Sequence, residues 1–257
     1  MASTVQPGEN KRSEYMAPRK RSSVSAPLMF AVIVVSVIFI MSVAFRVSDI
    51  QVNGNVHYTD LEIINAIEVE EGDNLFFFDR FAAVTRVFAK LPYVQEVSIE
   101  RALPNKMIIN VSESNAIAFL RLGAELWTMD EKCKILGTAA EGEEEGLIPI
   151  VGFNPGTLFI NETITTADNS DRTISYLKEI LNQIYQRGIA FQVSQIDFTE
   201  VNNVKLSYAG KYTVNLGDPS ATEHKFSMLL SAVSQLKDGD IGIIDLSDGS
   251  SAHFRPF

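Results

Sequence analysis

The sequence predicts an α+β fold in three parts: an N-terminal transmembrane helix, a small β-α-α-β-β module, and a larger mixed β domain with two helices. Three observations predict it. One uncharged apolar run near the N-terminus is long enough to cross a membrane. Between Val47 and Val111 the hydrophobic period changes from that of a strand to that of a helix and back again. After residue 115, short apolar strands are interrupted by two amphipathic helical stripes.

The run Leu28 to Phe45 reads LMFAVIVVSVIFIMSVAF and holds no charge, glycine or proline. At 1.5 Å per residue it makes about 27 Å of helix, close to the ~30 Å hydrocarbon core of a bilayer. Its apolar character on every face argues against the core helix of a soluble protein. Ser42-Val43-Ala44 has the form of a signal-peptide cleavage site. The run nevertheless exceeds the usual signal core of about 7–15 residues, so a retained anchor is expected. Residues 1–27 carry Lys11, Arg12, Arg19, Lys20 and Arg21 against Glu9 and Glu14. Basic flanks stay in the cytoplasm, which makes 1–27 an expected disordered cytoplasmic tail and sends the C-terminal body out. The whole chain of 257 residues has a formal charge of −10, so that body is strongly acidic. An acidic surface excludes nucleic acid as a partner, because phosphate binding needs bases. Cys133 is the only cysteine, so no internal disulfide forms.

In the small module, Val47 to Val52 reads as a strand and Gly54-Asn55 as a turn. Thr59-Asp60-Leu61-Glu62 is a capping box that opens a short helix ending near Ile67. A second helix runs from Asp79 to about Lys90, with Phe81, Val84, Val87, Phe88 and Leu91 placed on its inward face, until Pro92 stops it. Gln95 to Glu100 alternates as a half-buried strand, Leu103-Pro104-Asn105 turns the chain, and Met107, Ile109 and Val111 form one face of the returning strand.

In the remainder, Glu125 to Asp130 and Lys134 to Leu136 read as two short strands, and Leu147 to Val151 is an apolar stretch. Ile174, Leu177, Ile180, Leu181 and Ile184 stripe a helix that Gly188 ends. Phe191 to Phe198, Val204 to Tyr208 and Tyr212 to Leu216 are expected strands. Ser220-Ala221-Thr222-Glu223 reads as a second capping box, before a helix with Phe226, Leu229, Leu230, Val233 and Leu236 inward. A last strand runs from Ile241 to Leu246. The expected division is 1–27 tail, 28–45 transmembrane helix, 46–114 module, 115–250 β domain and 251–257 C-terminal tail.

No catalytic, cofactor-binding or metal-binding constellation is expected. His57, His224 and His253 form no zinc motif, and no phosphate loop or nucleophile elbow is present. Cys133 between Lys132 and Lys134 reads as a structural thiol rather than a reactive one. The run Phe76-Phe77-Phe78 admits two readings, a loop entering the core or an exposed binding patch.

The small module resembles the POTRA domain in its element order and in particular residues. These are the Gly54-Asn55 turn, Leu91-Pro92-Tyr93-Val94, Arg101 with Pro104-Asn105, and Asn110-Val111-Ser112-Glu113. A single POTRA after one span is similar to the FtsQ/DivIB family of bacterial cell-division proteins, as are Leu216-Gly217 and Lys225-Phe226 later in the chain. Where family members carry a Pro-apolar-Ala step, this chain has Ala116-Ile117-Ala118. The resemblance implies a non-enzymatic scaffold at the division septum, held in the cell membrane. Its partners would be FtsL and FtsB/DivIC-like proteins, with septal peptidoglycan synthase as a further partner whose activity it helps regulate. The alternative is a membrane-anchored POTRA chaperone or transport factor of the cell envelope. An anchored hydrolase is opposed by the missing nucleophile and ligand sets. The family receives its partner at the last strands of its β domain. Ile241, Ile243, Ile244 and Leu246 of the terminal strand are therefore the candidate edge, with Phe254 and Phe257 as anchors beyond it.

Overall fold

The computed structural model describes residues 25–257. Residues 1–24 of the expected cytoplasmic tail lie outside the described residues. Helix α1 spans Ser25–Ala44, so it starts before Leu28. Pro27 fits the first turn, where its missing N–H is one the helix would leave unpaired. The helix is apolar all round and is long and apolar enough to cross a membrane. It forms one compact unit, and Arg46–Phe257 forms the other.

The second unit contains two hydrophobic cores. The smaller is built from β1 (Asp49–Asn53), α2 (Asp60–Ile67), α3 (Arg80–Lys90), β2 (Val94–Ala102) and β3 (Lys106–Glu113). Its sheet has the order β1-β3-β2, with β3 central, parallel to β1 and antiparallel to β2. Ile109 on β3 is fully buried between Val52 and Ile99 on its neighbours. The capping box forms as read: Thr59 accepts from the Glu62 amide and Glu62 reaches back to the Thr59 amide. Gly54 has a φ of +84°, and a Cβ there would meet the Val111 carbonyl oxygen at 2.1 Å. Glycine is therefore the residue that lets β1 turn across β3. The expected face of α3 packs on the core through Val84, Val87, Phe88 and Leu91, but not through Phe81. Ala83 and Val87 are buried, whereas Phe81 in the first turn is 82% exposed.

The larger core lies in a nine-stranded mixed sheet of order β12-β11-β10-β9-β8-β7-β4-β5-β6. Its strands are β4 (Ala118–Leu122), β5 (Glu125–Met129), β6 (Ile135–Ala139), β7 (Ile148–Val151), β8 (Val193–Asp197), β9 (Val204–Tyr208), β10 (Tyr212–Gly217), β11 (Gly242–Asp245) and β12 (His253–Pro256). Helices α4 (Asp171–Gln186) and α5 (Thr222–Gln235) bury their apolar faces in this core. The Tyr176 hydroxyl donates to the Gly217 carbonyl at 3.0 Å and ties α4 to the end of β10. Ser220 does not cap α5. Its hydroxyl goes to the Asp218 carboxylate, and the residue before the helix is Ala221 in the left-handed region. Lys225 is fully buried, and its ammonium donates to the Asp218 carbonyl at 2.8 Å.

The two cores are joined by polar contacts. The Lys134 ammonium donates to the Pro92 carbonyl at 2.6 Å and the Val94 carbonyl at 3.2 Å, and the Asn161 amide donates to the Phe88 carbonyl. One expectation is corrected here. Residues 251–257 are not a tail, because His253–Pro256 forms β12 and pairs antiparallel with β11. The β domain therefore continues past residue 250 to the sheet edge.

Candidate partner interface

The sheet ends at β12 on one side and β6 on the other. The β6 edge is sealed at its start. Ile135 donates to the Glu162 carbonyl at 2.9 Å, Asn161 donates back to Ile135 at 2.7 Å, and Lys134 bridges Thr163. Among the described residues no strand pairs with the outer side of β12.

The strand running to Leu246 is therefore not the edge that the sequence suggested. Its register pairs Gly242 with Pro256, Ile243 with Arg255, Ile244 with Phe254 and Asp245 with His253. Ile244 and Leu246 are fully buried, Ile243 is half-buried, and only Ile241 is exposed. The reason is that β11 has a partner on each side, β10 parallel and β12 antiparallel. Phe254 and Phe257 belong to the edge itself. Phe254 is half-buried and meets Tyr212 edge-to-face at 6.2 Å, whereas Phe257 is 83% exposed.

Which backbone groups face outward follows from one bond. The Phe257 amide donates to the Ile241 carbonyl at 3.1 Å. Hydrogen-bonded and non-bonded pairs alternate along an antiparallel ladder. Arg255 and His253 therefore spend their backbone groups on β11, and Phe254 turns its N–H and C=O outward. Pro256 faces outward too, so its missing N–H costs the sheet nothing, as is usual for proline on an edge. The open template is short and centred on Phe254.

Beside it lies a groove of about 330 Å³ lined by Met228, Ala232 and Gln235 of α5 and Leu236 just after it, together with Ala252 and Phe254. A strand laid on β12 would place alternate side chains over this groove. Gly242 fixes the close approach of the two last strands. A Cβ there would meet the Arg255 carbonyl oxygen at 2.2 Å. The turn between the strands is held by two carboxylates. Burial pushes Asp245 up, but the Ser247 hydroxyl and amide, with Arg255 and His253, outweigh it and hold it below its ordinary value. The amides of Ser250 and Ser251 and the Ser251 hydroxyl hold Asp248 far below its own. Sequence reasoning missed this hairpin. Its available signal was Ser247-Asp248-Gly249-Ser250, a turn composition lying between Leu246 and His253.

The other singled-out residues do not converge. His57 stacks on Tyr93 at 3.8 Å between ring centroids, His224 is exposed on α5, and His253 sits on β12. Among the described residues no group of three or more metal-ligating side chains comes together. Cys133 is fully buried, and burial pushes its thiol far up, with Asp130 adding to the shift.

Residues 45–114 match the family model of the POTRA domain, FtsQ-type. Cell division protein DivIB of Clostridium botulinum strain Hall is 21% identical over 234 residues, covering 89% of this chain and 90% of that protein. DivIB of Bacillus subtilis strain 168 is 23% identical over 226 residues, covering 88% and 81%. Cell division protein FtsQ of Streptomyces coelicolor is 19% identical over 201 residues, covering 77% and 75%. Residues 45–114 therefore carry a POTRA domain of the FtsQ type, and through both cores the chain is similar to the bacterial cell-division proteins DivIB and FtsQ.

Proposed function

We propose that this protein is a non-catalytic scaffold of the division septum that captures a strand of another division protein on β12. The observation that carries the reading is the unpartnered outer side of β12 beside the groove at α5. Backbone bonds to Phe254 supply affinity, and side chains entering the groove and meeting Phe257 supply specificity. The partner is an FtsB- or DivIC-like protein, with FtsL held in the same assembly and septal peptidoglycan synthesis regulated through it. α1 anchors the chain in the cell membrane with its N-terminus in the cytoplasm and its body outside. Residues 46–114 act as the POTRA module and the remainder as the partner-binding domain.

The test is binding of purified residues 46–257 to the exterior segment of the partner. Gly242→Val drives a side chain into the Arg255 carbonyl and should pry β12 from β11. Binding should fall at least tenfold, which is about 1.4 kcal/mol. Phe254→Ala with Phe257→Ala should weaken it too, and removal of residues 251–257 should abolish it. Full affinity after that deletion would place the partner elsewhere.

A further inference from the structure

Two loops of the POTRA module grip the chain where it enters this unit. The Val47 amide donates to the Asp73 carbonyl at 2.7 Å, and the Val47 carbonyl accepts from Gly72 at 2.8 Å. The Ser48 amide donates to the Asn105 carbonyl at 2.9 Å, and the Asn105 side chain donates to the Ser48 hydroxyl at 2.6 Å. The loop before α3 and the β2–β3 hairpin are thus both fixed to the first residues after Arg46. Helix α1 ends at Ala44. Three residues of extended chain span about 10–11 Å at most. Val47, to which Gly72 and Asp73 are bonded, is therefore tethered no further than that from the end of α1.

These same loops expose apolar side chains. Phe77 is 72% exposed, Phe81 82%, Leu103 59% and Phe76 39%. Arg101 links the two loops. Its guanidinium lies 5.6 Å from the centre of the Phe76 ring and donates to the Phe78 carbonyl at 3.5 Å, and Leu103 follows two residues on. Asp79 accepts from the amides of Phe81 and Ala82, which sets Phe81 in the first turn of α3 just past the loop. Several large apolar side chains left in water on neighbouring segments mark a contact surface.

We propose that this end of the POTRA module is a lipid-contact site, in which Phe76, Phe77, Phe81 and Leu103 enter the boundary between headgroups and acyl chains. The proposal rests on the reading of α1 as a membrane anchor. The short tether selects lipid over a soluble partner, because both loops are bonded to Val47 and Ser48, within four residues of the end of the proposed membrane helix. The charge around the site is mixed. Glu68, Asp73, Asp79 and Arg86 line the same hollow as Phe77, and Arg101 lies over Phe76. The contact is accordingly apolar and does not need anionic headgroups.

The test uses the full chain in phosphatidylcholine vesicles. Cys133 is the only cysteine and is fully buried, so added surface cysteines can be labelled selectively with a polarity-sensitive dye. Phe77→Cys, Phe191→Cys and Phe39→Cys are labelled singly, and each sample is challenged with phosphatidylcholine spin-labelled near the headgroup or along the acyl chain. Phe191 is 82% exposed in the larger domain and serves as the aqueous reference, and Phe39 lies within α1. Dye at positions 39 and 77 should lose emission to the lipid quenchers, while dye at 191 should keep it. Quenching at 39 but not at 77 would overturn the lipid site and leave the anchor standing. No quenching at 39 would overturn the anchor and the site with it. Equal quenching at 77 and 191 would also overturn the site, since the whole body would then be adsorbed. So would dye at 77 that ignores lipid and is shielded only when a division partner is added.

Discussion

At Ile109 a single side chain reports the phase of the whole POTRA sheet. It is fully buried on the central strand, whereas Glu100 on the neighbouring strand is exposed. Ile109→Asp puts a carboxylate where no partner waits and should cost about 4 kcal/mol or more. Glu100→Gln should stay within about 0.5 kcal/mol of the parent. Urea melts of residues 46–257 compare the two, and equal midpoints would mean that the strand is turned over. Residues also explain which sequence readings failed. Phe81 has the right spacing for an inward face, but it sits in the first turn beside the cap at Asp79, where the core does not reach. Ser220 and Glu223 have the spacing of a capping box, yet the Asp218 carboxylate competes for the Ser220 hydroxyl and wins. Local motifs state what a side chain can do, and its nearest strong partner decides what it does.

Among the elements, β4 and β12 were the ones hidden from the sequence. Ala118, Phe119 and Leu120 are all buried, so both faces of β4 are covered there and no alternation betrays a strand. β12 fails for the opposite reason. Its side chains His253, Arg255 and Pro256 are exposed, and the strand exists because β11 offers it a ladder. The long stripes of α4 and α5 and the alternation in β2 and β3 were legible because each has one wet face and one dry face. The β11–β12 hairpin also carries a pH dependence. Asp245 and Asp248 both have folded values held below their ordinary ones. A depressed carboxylate stabilises the fold above its unfolded value, near pH 4, and that contribution is lost as the pH falls through the folded value. Amide exchange in residues 247–256 should therefore accelerate below about pH 4 while β9 and β10 stay protected. Uniform acceleration across the sheet would show that these carboxylates do not hold the hairpin.

At the scale of the whole molecule, one apolar helix is followed by a body that carries an open strand at its far terminus. The basic residues before the helix give the orientation its test. Alkaline phosphatase fused after Phe257 should be active, since it folds only outside the cytoplasm, and an inactive fusion would reverse the topology. The same layout bears on how the chain is made. In the POTRA sheet the central strand is the last to be synthesised, because β3 at Lys106–Glu113 lies between β1 and β2. Until residue 113 has been made, neither outer strand has a neighbour, and the apolar faces of α2 and α3 have no floor to close on. About 70 residues must therefore be in place before the module's sheet can lock, and loop closure has to span that distance. In the proposed topology the newborn chain waits open beside the membrane until its central strand arrives.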